Sequence, residues 1–157
     1  IGIELDNSGQ NEYPNLQIKS LINLIKYLKS KYKIKDSEIL AHSDISPYRK
    51  KDPGNKFPWK KLSKSLIISL PKKISKNFFL SIEDDLRKKN LINNKARALF
   101  MLSKIGYDIS EAKKNKKNFL LLIKSYEMRY RPKDVKGYLD QETYELIIRH
   151  FNQTLTI

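Results

Sequence analysis

The sequence predicts an α/β part, with a mixed sheet flanked by helices, followed by a small all-α domain of three helices. Two segments predict the strands. Residues 1–5 (IGIEL) are short, β-branched and followed by turn-forming residues, and residues 38–43 (EILAHS) have a similar apolar pattern. Beyond residue 80 the periodic segments have helical spacing, which predicts the all-α domain.

Two helices are predicted in the N-terminal part. From Gln17 to Tyr32, apolar residues recur at the three- and four-residue spacing of an amphipathic helix. The stripe consists of Ile18, Leu21, Ile22, Ile25, Leu28 and Tyr32. A second, short helix is predicted from Pro58 to Leu66, because the fixed φ of proline suits a first helical turn.

A domain boundary is predicted where this pattern breaks, in a segment with a proline, paired lysines and small polar residues. We place a linker at residues 71–80. It separates an α/β domain at residues 1–70 from a helical domain at residues 81–157.

Start and stop signals predict the helices of the second domain. Ser81 and Asp84 resemble a capping box. A helix over residues 94–105 meets Gly106, the residue type favoured just after a helix end. Asp140 can cap a last helix. Another helical stripe consists of Phe119, Leu122, Ile123, Tyr126 and Tyr130.

Composition narrows the class of function. The formal charge of +15 favours attraction to polyanions, either nucleic acid or an anionic cell-wall polymer. The 26 lysines against six arginines fit an A/T-rich genome as well as selection for phosphate contacts. Scarce arginine argues against a dedicated nucleic-acid reader. With no cysteine and no long apolar run, we expect no disulfide, no thiolate zinc site and no membrane span.

The loop AHSDISPYRKKDPGNKFPW, residues 41–59, concentrates groups that bind metals, anions and protons. His42 and Asp52 are candidate zinc ligands, because a folded loop can bring an imidazole and a carboxylate onto one ion. The alternative is a hydrogen-bonded structural histidine in a solvated loop. Glu4 favours the metal, because a carboxylate within an apolar strand is costly to bury unless it is paired or functional.

These residues resemble a known family. IGIELDN, followed by the H-S-D-I, R-K-x-D-P-G and F-P-W pieces in order, is similar to the zinc-dependent N-acetylmuramoyl-L-alanine amidases of the type 2 amidase family. That family shares a fold with peptidoglycan recognition proteins, and the α/β domain would be the C-terminal half of its catalytic domain. FLLLIKSYEMRYRPKDVKGYLDQETYELI is similar to the helical peptidoglycan-binding module of AmiD-type amidases. A generic three-helix domain is the alternative for this second part.

The resemblance implies a zinc site and roles for four residues. His42 and Asp52 match two Zn²⁺ ligands of the family. Glu4 matches the carboxylate that moves the proton of water, and Lys50 matches the cation that stabilises the oxyanion. The family's first zinc histidine is not in the sequence, and His150, on a helix of the other domain, is not expected to replace it. We therefore expect an upstream segment of the same protein to supply a strand and that histidine.

The implied function is hydrolysis of peptidoglycan at the amide between N-acetylmuramic acid, or its 1,6-anhydro form, and L-alanine of the stem peptide. The alternative is a non-catalytic peptidoglycan-binding protein. The expected partners are peptidoglycan or muropeptides, not nucleic acid, and the sequence does not identify the residues that bind them. The expected location is the bacterial cell envelope, periplasmic or associated with the outer membrane, with the cytoplasm as the alternative.

Overall fold

The computed structural model describes residues 1–155, which form helices joined by loops. A short 3-10 helix, Asp36–Glu38, follows the first helix. None of the described helices is both long and apolar enough to cross a membrane. The α-helices are α1 (Asn15–Tyr32), α2 (His42–Ile45), α3 (Trp59–Lys64), α4 (Lys76–Lys88), α5 (Asn94–Ile105), α6 (Ser110–Lys114), α7 (Lys116–Tyr130) and α8 (Gln141–Leu155).

The predicted α/β fold with a mixed sheet is wrong, because residues 1–155 contain no β-strand. Residues 1–5 have no regular structure and are mostly exposed. Ile39 and Ala41 have extended backbone angles, but their segment pairs with no other in the described chain. A strand is stabilised by hydrogen bonds to a partner strand, so a β-branched pattern alone does not form one. The second predicted strand also stops early, because His42 begins α2.

The two helices predicted in the N-terminal part are confirmed. α1 buries Ile18, Leu21 and Ile25 and ends at Lys33, which has a left-handed backbone with φ of 57°. Pro58 directly precedes α3. Apolar side chains of these two helices and of the loops beside them form the first core: Tyr13, Ile18, Leu21, Ile25, Ala41, Phe57, Trp59, Leu62, Ile67 and Ile68.

In the second part, α5 begins and ends where predicted, and α8 begins where predicted. α5 is capped by the Asn93 side chain and ends at Gly106, which has φ of 116° and whose N–H donates to the Leu102 carbonyl over 3.1 Å. α8 follows Asp140, whose carboxylate accepts the Thr143 N–H over 2.8 Å. These ends depend on side chains adjacent in sequence, which explains why they were predictable.

Two other predictions for the helical part are wrong, the capping box at Ser81 and the number of helices. Ser81 lies inside α4 and does not cap it; Ser75 does, accepting the Phe78 N–H over 3.2 Å. The described residues after α3 form five helices, not three. α4 begins at Lys76, inside the predicted linker 71–80. The boundary between two domains stays a prediction.

The helical part has its own apolar core, and the segment that carries His42 packs against it through α2. α5 packs on α8, α6 on α7, and the short α2 on α7. The second core consists of Ile82, Leu86, Ala98, Leu99, Met101, Leu102, Tyr107, Ala112, Phe119, Leu122, Ile123, Tyr126, Tyr144, Ile147, Ile148 and Phe151.

Candidate functional site

A cavity of about 980 Å³ is lined by all four residues that the sequence singled out: Glu4, His42, Lys50 and Asp52. The N-terminal segment, α1 and the loop after α2 form its walls. Leu21 and Ile25 of α1 contribute apolar side chains to the lining. The cavity therefore combines titratable groups with an apolar wall, as ligand-binding sites commonly do.

His42 and Asp52 are in direct contact, between Nδ1 of the imidazole and Oδ2 of the carboxylate. Their side chains are 51% and 53% exposed, so both can be reached from the cavity. A backbone hydrogen bond connects the same two parts of the loop, because the Ser43 N–H, next to His42, donates to the Asp52 carbonyl over 3.1 Å. The loop thus closes and presents one nitrogen and one oxygen donor side by side, a combination that zinc accepts.

The turn after Asp52 is stabilised by contacts with Tyr13 and Gly9. The Asp52–Pro53 peptide is cis. The Tyr13 hydroxyl donates to the Pro53 carbonyl over 3.0 Å. Burial, together with the Asp52 charge, raises the pKa of Tyr13, so this hydroxyl keeps its proton and remains a donor at neutral pH. Gly54 follows with φ of 78° and packs against the backbone of Gly9.

We expect Gly54→Ala to destabilise the protein more than Gly137→Ala. Both glycines have left-handed backbones, with φ of 78° and 74°, so both substitutions add strain of about 1–3 kcal/mol. At Gly54 the new Cβ would also lie 2.8 Å from the Gly9 carbonyl oxygen, whereas at Gly137 its nearest neighbour is Cβ of Lys124 at 3.7 Å. Urea unfolding of the two variants measures the difference, and equal losses would contradict the close packing of Gly54 on Gly9.

Glu4 and Lys50 reach the cavity from irregular segments. Glu4 is exposed, so the expectation that it is a buried strand carboxylate is wrong. The backbone of Lys50 is fixed by a hydrogen bond, in which its N–H donates to the Ser46 carbonyl over 2.9 Å. The next residue, Lys51, also lines the cavity. A carboxylate and two ammonium groups thus accompany the imidazole–carboxylate pair. The roles of Glu4 and Lys50 stay predictions.

The described residues hold no group of three or more metal-ligating side chains. His42 and Asp52 fit zinc by their donor chemistry, but catalytic zinc sites use three protein ligands. His150 lies elsewhere, on α8, with its ring centroid 4.7 Å from that of Tyr130. Burial, with a smaller effect of the Arg129 charge, lowers the pKa of His150 to about 4. His150 is therefore a neutral, packed imidazole at neutral pH.

We expect His150 to make the protein less stable in mild acid. Its pKa is about 4 in the folded state against an ordinary 6.5, so between these pH values the unfolded chain binds more protons. The stability is fully present above pH 6.5 and falls by about 3 kcal/mol as the pH drops toward 4. Chemical denaturation across this range measures the slope. His150→Phe should flatten it, and an unchanged slope in that variant would contradict the assignment.

Sequence reasoning missed a buried ion pair beneath the loop, between Asp44 of α2 and Arg129 of α7, whose side chains are 4% and 5% exposed. A signal for it existed. Arg129 falls three residues after Tyr126 on the apolar stripe of α7, and an arginine on a buried face needs a buried partner. Two further residues of α7, Lys124 and Met128, line the cavity itself.

Comparison with known proteins gives a consistent set of relatives. The model of the N-acetylmuramoyl-L-alanine amidase family matches residues 1–55. The chain is 33% identical over 152 residues to the N-acetylmuramoyl-L-alanine amidase AmiD of Escherichia coli (strain K12). This alignment covers 91% of this chain and 53% of AmiD. The chain is also 40% identical over 67 residues to the 1,6-anhydro-N-acetylmuramyl-L-alanine amidase AmpD of Haemophilus influenzae. That alignment covers 42% of this chain and 36% of AmpD. The chain thus spans about half the length of AmiD and less of AmpD.

Solved structures agree with these relatives. The complex of E. coli AmiD with anhydro-N-acetylmuramic acid-L-Ala-D-gamma-Glu-L-Lys superposes with a TM-score of 0.75 at 28% identity, over 90% of this chain and 53% of that one. AmpDh3 of Pseudomonas aeruginosa, in complex with anhydromuramic pentapeptide, gives 0.71 at 26% identity, over 88% and 53%. Residues 1–55 are thus similar to the N-acetylmuramoyl-L-alanine amidase family, and about nine tenths of the chain shares its fold with AmiD and AmpDh3.

Proposed function

We propose that the protein hydrolyses the amide bond between N-acetylmuramic acid, or its 1,6-anhydro form, and L-alanine of a peptidoglycan stem peptide. The observation that carries the proposal is the contact of His42 with Asp52 in a cavity also lined by Glu4 and Lys50. The complexes of AmiD and AmpDh3 with anhydromuramyl peptides support a muropeptide as the substrate.

Zinc is the cofactor we propose, held by His42 and Asp52. Their nitrogen and oxygen donors are adjacent and accessible from the cavity. In this proposal an upstream segment of the same protein supplies the third ligand. When bound, zinc supplies the Lewis acidity that makes water a nucleophile near neutral pH.

The residues of this chain move the proton and stabilise charge. Glu4 takes a proton from water as the water oxygen bonds to the lactyl carbonyl carbon. The ammonium of Lys50 stabilises the negative charge that develops on the carbonyl oxygen. Glu4 then gives the proton to the alanine nitrogen as the carbon–nitrogen bond breaks. The products are the free lactyl carboxylate and a stem peptide with a free amino terminus.

We also propose that the helical part binds peptidoglycan and that the protein works in the cell envelope, in the periplasm or at the outer membrane. The formal charge of +15 supports attraction to an anionic wall polymer.

Mass spectrometry of peptidoglycan digests tests the proposed reaction. Full-length protein is incubated with intact peptidoglycan and with anhydro-muropeptides, each with added Zn²⁺ and with a chelator. We expect release of intact stem peptides that stops under chelation, and comparison of the two substrates identifies the preferred one. Binding to peptidoglycan without any release would favour a non-catalytic binding protein, and release that persists under chelation would contradict the zinc mechanism.

A further inference from the structure

Arg129 of α7 connects the helical part to the segment that carries His42. Its Nη1 donates to the Asp44 carboxylate, and its Nη2 donates to the Ile39 carbonyl over 3.0 Å. The guanidinium also lies 4.2 Å from the ring centroid of Trp59. One side chain of the helical part therefore contacts the N-terminal part at three places, two of them within residues 39–44.

Asp44 in turn binds the backbone of Ala41, the residue before His42. Its carboxylate accepts the Ala41 N–H over 2.8 Å and the Tyr107 hydroxyl over 2.9 Å. Burial and the charge of Asp44 raise the pKa of Tyr107, so this hydroxyl remains a donor. The backbone on the N-terminal side of His42 is thus fixed by a buried carboxylate that Arg129 and Tyr107 hold in place.

A second contact fixes the other side of His42. The Ser125 hydroxyl, also on α7, donates to the Ser43 carbonyl over 2.5 Å. The Ser43 N–H in turn donates to the Asp52 carbonyl over 3.1 Å. His42 itself is half-exposed, whereas Ala41, Ser43 and Asp44 around it are buried. The direction of the His42 ring is therefore set by its fixed backbone and by its contact with Asp52, and not by burial of the ring.

We propose that Arg129 is a positioning residue for the His42–Asp52 pair, so that the helical part completes the reaction site and is not only a wall-binding module. Residues that orient metal ligands from outside typically change metal affinity or activity about 10- to 100-fold when they are replaced. Lys124 and Met128 of α7 line the same cavity, which is consistent with this role. The inference rests on the proposed function for its catalytic consequence, but not for the contacts themselves.

The chain offers a matched control at Arg97 of α5. Arg97 makes a largely buried ion pair with Glu83 at 2.8 Å and donates to the Leu91 carbonyl over 2.9 Å. The Glu83 carboxylate also accepts the Tyr144 hydroxyl, as Asp44 accepts that of Tyr107. Arg97 and Arg129 therefore make the same kinds of bonds, but Arg97 contacts no residue of the His42 segment among its hydrogen bonds and ion pairs.

The test compares Arg129→Met with Arg97→Met in full-length protein. The first measurement is hydrogen exchange of the Ser43 amide in metal-free protein. We expect faster exchange in Arg129→Met and the parent rate in Arg97→Met, when both are compared at equal free energy of unfolding. The second is Zn²⁺ affinity by competition with a chelating dye, where we expect about 10- to 100-fold weaker binding in Arg129→Met only. The third is the split between kcat and KM, and we expect kcat to fall with KM nearly unchanged.

Equal effects of the two substitutions on Ser43 exchange and zinc affinity, or no effect of either, would overturn the inference. If Arg129→Met does not fold, Arg129→Lys and Arg97→Lys replace the pair. Lysine keeps the charge but loses the second directed hydrogen bond, so only Arg129→Lys should speed Ser43 exchange. Because that exchange needs neither zinc nor substrate, it gives the same answer if the proposed function fails. Conversely, a protein that releases stem peptides with equal kcat in both variants would keep the function and refute the role of Arg129.

Discussion

Glu4→Gln in the full-length protein is expected to lower kcat for release of stem peptides about 10²- to 10⁴-fold, the usual contribution of a general acid–base group. Glutamine preserves the shape of the side chain and its place in the cavity, but it cannot accept and return a proton. Because Glu4 is exposed and does not belong to the His42–Asp52 pair, zinc content and the free energy of unfolding should stay at parent values. Steady-state kinetics on a muropeptide, with metal analysis of the same samples, measures both.

Glu12→Gln is the matched control for this substitution. Glu12 lies in the same N-terminal segment, is exposed, and pairs with Lys56 at 3.2 Å, but does not line the cavity. Its replacement should leave kcat unchanged. Full activity of Glu4→Gln would exclude Glu4 as the proton carrier, and loss of zinc in that variant would give Glu4 a ligand role instead.

The sequence was informative wherever structure depends on neighbours within a few residues. The end of α5 at Gly106 and the start of α8 after Asp140 follow from caps that lie next to the helix in sequence. The apolar stripe of α1 likewise predicts which residues are buried, because helix periodicity alone decides which side chains share a face.

Features that depend on distant partners were mispredicted or missed. Residues 1–5 have the composition of a strand but no partner strand in the described chain, so composition alone was not enough to predict their structure. Asp44 and Arg129 are 85 positions apart, and no local pattern relates them. His42 and Asp52 were named from their place in one loop, Glu4 as a carboxylate in an apolar segment, and Lys50 through the family resemblance. The structure adds that all four line one cavity. Their chemical roles remain predictions, because a motif gives identity and order but not the path of a proton.

Glu127→Ala is expected to lower the free energy of unfolding by about 2–6 kcal/mol, because it leaves two donors without an acceptor, each at a cost of about 1–3 kcal/mol. Glu127 is 0% exposed on α7. One carboxylate oxygen accepts the Thr143 hydroxyl over 2.8 Å, and the other accepts the Gly137 N–H over 2.6 Å. Alanine would leave both donors without their acceptor, and Arg131, 3.9 Å away, without a charge partner on α7. Urea unfolding followed by circular dichroism measures the loss.

The size of that loss follows from what Glu127 connects. Arg131 also pairs with Asp134 and Asp140 at 2.6 Å each, so Glu127 and Arg131 together join α7 to the following loop and to the start of α8. Glu145→Ala is the surface control, because Glu145 forms a part-exposed pair with Arg149 on one helix, and such pairs contribute about 0.3–0.5 kcal/mol. A Glu127→Ala variant no less stable than Glu145→Ala would mean that the loop is held by apolar packing instead.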